Sequence, residues 1–314
     1  MSLSVVIVSY NTREALLECI ESVFAHSPAG TQVVVVDNGS ADGSVEAVRT
    51  TYPDVVVDAA EENLGFARGV NRGVARSSGE HLVLLNPDTI VLDGALESLE
   101  AFAVAHPEFG VYGGRTLRRD GSVDKSSCWG APTLWSLTCF ATGLSTAFSG
   151  SALFDPESLG GWQRDTVRAV PIVTGCLLLM RRGDWDRLGG MDERFFLYGE
   201  DAEFSIRAGR FGLRPVIVPT AEIIHDVGGS TGNSGFKMCM VLAGKTTLLR
   251  AIWSPRRSRI GIALLLTGVW MRAGLERLTR RRNGTWSTPW VRRSDWLPGY
   301  PAARRTLFGL DIDG

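Results

Sequence analysis

Four short polar clusters, Ser9-Tyr10-Asn11, Asp37-Asn38-Gly39-Ser40, Glu62-Asn63 and Asn86-Pro87-Asp88, each follow closely on a β-branched or apolar run. Residues of these types at successive strand ends supply what a nucleotide with a diphosphate needs: an aromatic face for the base, acceptors for its edge or the ribose, and donors or a cation for the phosphates. Tyr10 is suited to stack on a base, with Ser9 and Asn11 beside it, and Asp37 to accept a hydrogen bond from a pyrimidine N3–H or from the ribose. The segment Asn63-Leu64-Gly65-Phe66-Ala67-Arg68-Gly69-Val70-Asn71 sets Gly65 ahead of a helix N-terminus with Arg68 one turn in, which suits a diphosphate. It is neither a Gly-x-Gly-x-x-Gly sequence nor a loop ending in Gly-Lys-Ser/Thr, so dinucleotide enzymes and kinases lose ground. Turn residues and helix caps share this composition. One cluster reads equally well that way; the recurrence at four strand ends favours a site.

Four more positions carry chemistry. Asp88, after Leu82-Val83-Leu84-Leu85 and close to Asn86, can hold a hard divalent ion, Mg²⁺ or Mn²⁺, against a diphosphate, or else cap the next helix. In Phe195-Phe196-Leu197-Tyr198-Gly199-Glu200-Asp201 two adjacent acids open a helix after an aromatic run. They either favour the helix dipole or furnish a general base whose pKa is raised by partial burial against the aromatics. His225, after Ala221-Glu222-Ile223-Ile224 and before Asp226, is open between a metal ligand or phosphate contact and a structural residue.

Regular elements must position these groups. Residues 5–8, 32–36, 55–57 and 81–85 read as strands, and residues 13–24, 44–51, 66–77 and 94–105 have helical spacing. This is a βαβ pattern of the α/β class, so the strands should be largely parallel and a ligand should lie beyond their carboxyl ends. Residues 126–163 bear Ser, Gly and Trp without clear periodicity and read as a long substrate loop. A buried run at 170–180 and a helix opening near Glu200 restore order, and beyond Phe236 the chain turns basic and helical. There is no internal repeat.

With 314 residues, 44% of them hydrophobic, the chain can bury a core as one large domain or as two halves sharing a cleft. Cys19, Cys128, Cys139, Cys176 and Cys239 are widely spaced, form no Cys-x-x-Cys pair and are odd in number, which fits a reducing cytosol. Met1 leads directly into a strand-like run, so no export is expected. The net charge of -1 conceals an asymmetry: residues 1–236 hold 18 Lys+Arg against 30 Asp+Glu, and residues 237–314 hold 15 against 4. A basic tail on an acidic body points to an anionic surface.

The motifs Val8-Ser9-Tyr10-Asn11, Val36-Asp37-Asn38-Gly39-Ser40, Asn63-Leu64-Gly65-Phe66-Ala67, Asn86-Pro87-Asp88, Gly175 with Arg181-Arg182, and Phe195 through Asp201 occur in an order that resembles glycosyltransferase family 2, of the GT-A fold, and its bacterial rhamnosyltransferase-like branch. The resemblance covers residues 4–225. It implies a Rossmann-like, mostly parallel sheet flanked by helices, with the basic helical region as a C-terminal extension. It also implies an inverting, metal-dependent transfer from a nucleotide-diphosphate sugar, dTDP-rhamnose before UDP-galactofuranose or UDP-N-acetylglucosamine. In it Asp37 reads the nucleoside, Asp88 is the metal carboxylate of an Asp-x-Asp type motif, and Asp201 is the catalytic base. Asn86 replaces the first carboxylate of that motif, which leaves metal affinity leaning on the phosphates and on His225. Three regions follow: a nucleotide-sugar-binding half at 1–115, an acceptor-binding and catalytic half at 116–236, and the basic helical region at 237–314.

In that last region residues 260–271 are almost wholly apolar and are flanked by Arg256, Arg257, Arg259, Arg272, Arg277, Arg280, Arg281 and Arg282. The run is too short to cross a bilayer, which takes about 20 apolar residues. An interfacial helix on an anionic membrane, at the cytoplasmic face where a lipid-linked glycan acceptor would be met, fits it; a core or homo-oligomer helix with a solvated basic end is the alternative. Nucleic acid is not expected, since no recognition motif accompanies the charge. Two rival functions are a non-catalytic sugar-nucleotide-binding module, opposed by the presence of both Asp88 and Asp201, and a nucleotidyltransferase, opposed by the lack of a Gly- and Lys-rich triphosphate loop.

Overall fold

Runs as apolar as Val5-Val6-Ile7-Val8 and Val33-Val34-Val35-Val36 cannot lie in a sheet with one wet face. In the computed structural model, which describes residues 2–225, 234–279 and 285–309, all eight are buried. The chain begins β1 (Leu3–Ser9), α1 (Arg13–Ala25), β2 (Gln32–Asp37), α2 (Ser44–Thr51), β3 (Val56–Ala59), α3 (Phe66–Arg76) and β4 (His81–Leu85). It continues through β5 (Thr89–Val91), α4 (Ala95–Ala105), β6 (Gly110–Leu117), β7 (Val123–Asp124), β8 (Cys128–Trp129), α5 (Leu134–Thr142) and α6 (Leu144–Ala147). Next come β9 (Arg168–Ala169), β10 (Ile172–Val173), β11 (Leu177–Arg181), α7 (Arg182–Leu188), α8 (Glu200–Arg210) and β12 (Arg214–His225). The remaining described elements are helices: α9 (Ser234–Ile252), α10 (Pro255–Leu278), α11 (Ser287–Val291), α12 (Arg293–Trp296) and α13 (Ala302–Phe308).

The chain divides into two compact units. The first, Met1–Trp129 with Gln163–Asp192 and Phe204–Ser230, holds the central sheet in the order β3-β2-β1-β4-β11-β6-β12-β5, with β7 beside β6 and β9 beside β12. Strands β3, β2, β1 and β4 are mutually parallel, as the βαβ pattern requires. β11 enters antiparallel between β4 and β6, β12 runs parallel to β6, and β5 closes the edge antiparallel to β12. Ser9 pairs with Asp37 and Asp37 with Ala59, so the carboxyl ends of β1, β2 and β3 finish level. Helix α3 lies close on this sheet because Gly69 and Gly73 face it: a Cβ on Gly69 would stand 2.7 Å from Val8 Cγ1, and one on Gly73 would overlap Val6.

The second unit is Gly130–Trp162 with Glu193–Glu203 and Thr231–Gly314, and its described elements are helices. The structureless loop expected at 126–163 is corrected here. Thr133 and Ser136 form a capping box that starts α5, and Gly143 at φ +79° ends it. The signal was obscured by a short helix whose buried face is only Ser136, Leu137, Cys139 and Ala141. α10 extends beyond the apolar run at both ends, and its Gly261 and Gly268 let it lie against Leu137 and Phe140 of α5. Arg272, expected as a flanking membrane cation, is instead buried. Its guanidinium sits 3.9 Å from the Phe140 ring centre and donates to the Phe140 carbonyl at 2.6 Å and to Thr146 Oγ1 at 2.8 Å. Asp226, Arg280, Arg281 and Arg282 lie outside the described residues. Among the described residues no helix is long and apolar enough to cross a membrane.

Candidate functional site

In the first unit the turns after β1 and β2 are stitched together. The Asn11 N–H donates to Ser40 Oγ at 2.8 Å, the Ala41 N–H to Asn11 Oδ1 at 2.8 Å, and the Arg13 N–H to Asp42 Oδ2 at 2.9 Å. Asn11 meets this by adopting φ 52°. Asp37 ends β2 with its Oδ2 accepting the Ser40 N–H at 2.8 Å, while Oδ1 is buried with no hydrogen-bond partner among the described residues. A buried carboxylate oxygen without a donor is costly unless a donor arrives with a ligand. Asn38 repeats the pattern: its amide donates to the Gly65 carbonyl at 3.1 Å and its own Oδ1 is buried without a partner among the described residues. Tyr10 is 47% exposed, free to present its ring. Ser9 differs from expectation: it is wholly buried, its hydroxyl is 2.9 Å from Thr12 Oγ1 and its carbonyl accepts the Asn38 N–H, so it serves the turn.

The loop before α3 is shaped by Asn63, whose Oδ1 accepts the Gly65 N–H at 2.9 Å, and by Gly65 itself at φ +84°. Among the described residues no side-chain hydrogen bond caps α3, and Arg68 lies in its first turn. Asn71 is committed elsewhere, bonded in both directions to Met191: its amide donates to the Met191 carbonyl and its Oδ1 accepts the Met191 N–H, each at 2.9 Å. It therefore pins a loop. The other end of α3 is held by Arg182, which donates to the Gly79 carbonyl and to Ser77 Oγ, each at 2.7 Å.

Asp88 is not a helix cap: β5 follows it, and α4 starts only after Gly94. Its Oδ1 faces His225 Nε2 at 3.5 Å, while His225 Nδ1 lies 3.4 Å from Asp124 Oδ2 and 3.2 Å from Ser126 Oγ. Burial would lower the His225 pKa, but the hydrogen bonds its ring donates to Asp124 and Asp88 outweigh it and raise it to about 9. Burial likewise opposes ionisation of Asp124, and the hydrogen bonds from His225 and Ser126 prevail, holding its carboxyl below the usual range. Both ring nitrogens thus face carboxylates, the setting of an imidazolium held between two anions. Among the described residues no group of three or more His, Cys, Asp or Glu side chains is arranged to hold a metal ion. With its pKa at about 9 the His225 ring is protonated at neutral pH and donates toward both carboxylates, so a divalent ion at Asp88 would have to displace a proton before His225 could ligate it. Asn86 supplies backbone here: its N–H donates to the Cys176 carbonyl at 3.3 Å and its carbonyl accepts from Thr89 Oγ1 at 2.6 Å.

In the second unit Tyr198 and Gly199 take φ 68° and +96° before α8 opens at Glu200. The bend abuts α9 at Gly244, where any Cβ would strike the Tyr198 carbonyl. The carboxyl of Glu200 is the one that burial raises. Burial, with the charge of Asp201 behind it, pushes Glu200 up to about 8, and its Oε2 is buried without a partner among the described residues. Asp201 is half-buried, and its Oδ1 lies 2.7 Å from the Ala202 N–H.

Asn38, Asp124, Ser126 and Arg182 were not singled out as site or positioning residues from the sequence. Asn38 stood inside a flagged cluster, but Asp124 lies just ahead of the aperiodic stretch that Ser126 opens, and their partner His225 is 101 and 99 residues away respectively.

Residues 4–159 match the family model described as glycosyl transferase family 2. An N-acetylglucosaminyl-diphospho-decaprenol L-rhamnosyltransferase of Mycobacterium tuberculosis is 30% identical over 253 residues, 73% of this chain and 78% of that one. Among solved structures, a mannosyltransferase from Pyrobaculum calidifontis in complex with GDP-Man and Mn²⁺ superposes with a TM-score of 0.53 at 18% identity, covering 98% of this chain and 88% of that one. GalNAc-T7 with UDP, GalNAc and Mn²⁺ gives a TM-score of 0.56 at 17% identity over 74% of this chain and 44% of that one. Identities this low bear on the fold alone, which is the GT-A fold.

Proposed function

The chain belongs to glycosyl transferase family 2 and is a glycosyltransferase, and on that premise we propose that it moves rhamnose from dTDP-rhamnose, with inversion, to a polyprenyl-diphosphate-linked sugar in cell-wall or surface-polysaccharide assembly. The observation that carries donor binding is the unpartnered, buried Oδ1 of Asp37 at the end of β2. In this reading it accepts the N3–H of thymine, and Tyr10 stacks on the ring. The N–H groups opening α3, with Arg68, receive the diphosphate. The choice of rhamnose and of a lipid-linked acceptor is supported by the mycobacterial relative, whose name states both.

Asp88 and His225 are the residues that would hold a divalent cation, which when bound neutralises charge on the diphosphate. Asp124 keeps the His225 ring turned so that Nε2 faces Asp88. Asp201 takes the proton of the acceptor hydroxyl as that oxygen attacks the anomeric carbon, and the bond from that carbon to the diphosphate oxygen breaks in the same displacement. Glu200, pushed up to about 8, is largely protonated at neutral pH, so the pair carries one negative charge rather than two. An acceptor held on a lipid places this chemistry at the cytoplasmic membrane face.

A panel of dTDP-rhamnose, UDP-galactofuranose and UDP-N-acetylglucosamine, assayed for free nucleoside diphosphate with a polyprenyl-linked acceptor and with or without EDTA, tests the reading. Release from dTDP-rhamnose alone, abolished by EDTA, supports it. Turnover of another sugar reassigns the donor, and binding without turnover of any would make the chain a sugar-nucleotide-binding module.

A further inference from the structure

We infer that the outer face of α10 is the surface by which this protein lies on an anionic lipid bilayer, helix axis in the membrane plane. The inference rests on the lipid-linked acceptor proposed above and names the element that would meet the lipid.

The inner side of α10, through Gly261, Leu265, Gly268, Val269 and Ala273, is buried within its own unit. An ordinary surface helix would then turn a polar face outward. This one does not: Ile260, Ala263, Thr267, Trp270, Gly274 and Leu278 follow one another along the outer side at helical spacing, with a single hydroxyl among them. Ile260 is 54% exposed, Trp270 58%, the adjacent Leu275 59% and Leu278 83%. At 1.5 Å per residue this ridge is about 27 Å long. Exposed apolar surface of that extent marks a place of contact. No described helix is long and apolar enough to cross a bilayer, so burial among headgroups and upper acyl chains requires the helix to lie flat.

Charge selects the occupant. Arg256, Arg257 and Arg259 are exposed at one end of α10 and Arg277 at the other. Arg257 is braced 4.4 Å above the Trp253 ring centre. Glu276, the only acid of the helix, is turned away from this face: its carboxylate accepts the N–H groups of Trp286 and Ser287 and the Ser287 hydroxyl at 2.9–3.1 Å. Among the described residues of α10 this face thus presents apolar side chains bracketed by cations, with no acid. A second copy of the chain docking through the same face would set arginines against arginines with no acid to meet them. Lipid phosphates supply the missing charge.

The test uses the full chain, because α9 to α13 make up most of the second unit and truncation would remove its core. Co-sedimentation is measured with vesicles of phosphatidylcholine, with and without phosphatidylglycerol, at low and high salt. Two variants are compared after their melting temperatures are shown to match the parent: I260S/W270S/L275S, all exposed side chains, and R256Q/R259Q. The parent is expected to bind the anionic vesicles. The arginine variant should bind them about fivefold more weakly per residue lost at low salt, and that difference should shrink at high salt. The apolar variant should lose at least about tenfold at both salts. Absent binding by the parent, or equal binding by all three proteins, overturns the inference. So does a stable parental dimer that the apolar variant dissociates, which would assign the face to a second copy. A short-chain acceptor free in solution separates this from the transferase reading. If docking alone is wrong, all three proteins turn it over while none depends on vesicles; if the transferase reading is wrong, none turns it over and vesicle binding persists.

Discussion

Replacing Asp37 by Asn isolates the acceptor on which nucleoside recognition rests. The Asn side chain keeps one oxygen to accept the Ser40 N–H, bonded in the parent at 2.8 Å, so the turn after β2 should hold. The other oxygen, buried and without a partner, becomes an NH₂ group, and a donor then faces the donor of a pyrimidine N3–H. A hydrogen bond to a charged group contributes about 1.5–3 kcal/mol, which at ~1.4 kcal/mol per decade weakens binding roughly 10- to 150-fold. Isothermal titration of the variant with dTDP, UDP, GDP and ADP, alongside its melting temperature, reads this directly. The expected result is a loss confined to dTDP and UDP, with an unchanged melting temperature. Equal losses for pyrimidine and purine nucleotides would move Asp37 from the base edge to the ribose. Parental affinity for dTDP in a folded variant would refute the assignment altogether.

Glu200→Gln should change how stability depends on pH. Because burial raises the Glu200 pKa from 4.5 to about 8, the folded state prefers the protonated form. Its contribution is intact below about pH 4.5 and is lost progressively as pH rises through about 8. Gln cannot ionise, so the variant should gain melting temperature relative to the parent as pH rises across that window; a constant difference would mean that Glu200 is not held protonated. Asp88→Ala should leave the fold intact and abolish transfer at any Mg²⁺ or Mn²⁺ concentration, and full activity of the folded variant in EDTA would remove the metal from the account.

The parallel half of the fold was legible because its signals are local. Residues 81–85 and 44–51 became β4 and α2 with those bounds, since a Val- and Leu-rich run between turn residues and a short amphipathic stretch admit few alternatives. β11 escaped because a buried run at 170–180 does not disclose that it is broken into β10 and β11, nor that β11 inserts antiparallel between β4 and β6. Within the candidate site, the strand-end clusters marked where polar groups collect but not which atoms remain available. Ser9 is spent on Thr12 and Asn71 on Met191, whereas Asp37 and Asn38 each keep an unpartnered oxygen. Such differences depend on contacts between distant segments, and His225 shows it most clearly. A single histidine says little in sequence, and its setting is made by Asp88 and Asp124, which come from the turn after β4 and from β7.

The central claim is that Asp201 removes the proton from an acceptor hydroxyl during sugar transfer. It is tested most directly by single-turnover transfer with Asp201→Asn, which keeps the shape of the side chain but cannot accept a proton. Donor affinity should match that of the parent, while the transfer rate falls by roughly 10² to 10⁴-fold, the scale of general-base loss. Transfer at the parental rate by the folded Asp201→Asn protein, with Glu200→Gln inactive beside it, would contradict the account and give the base to the other acid.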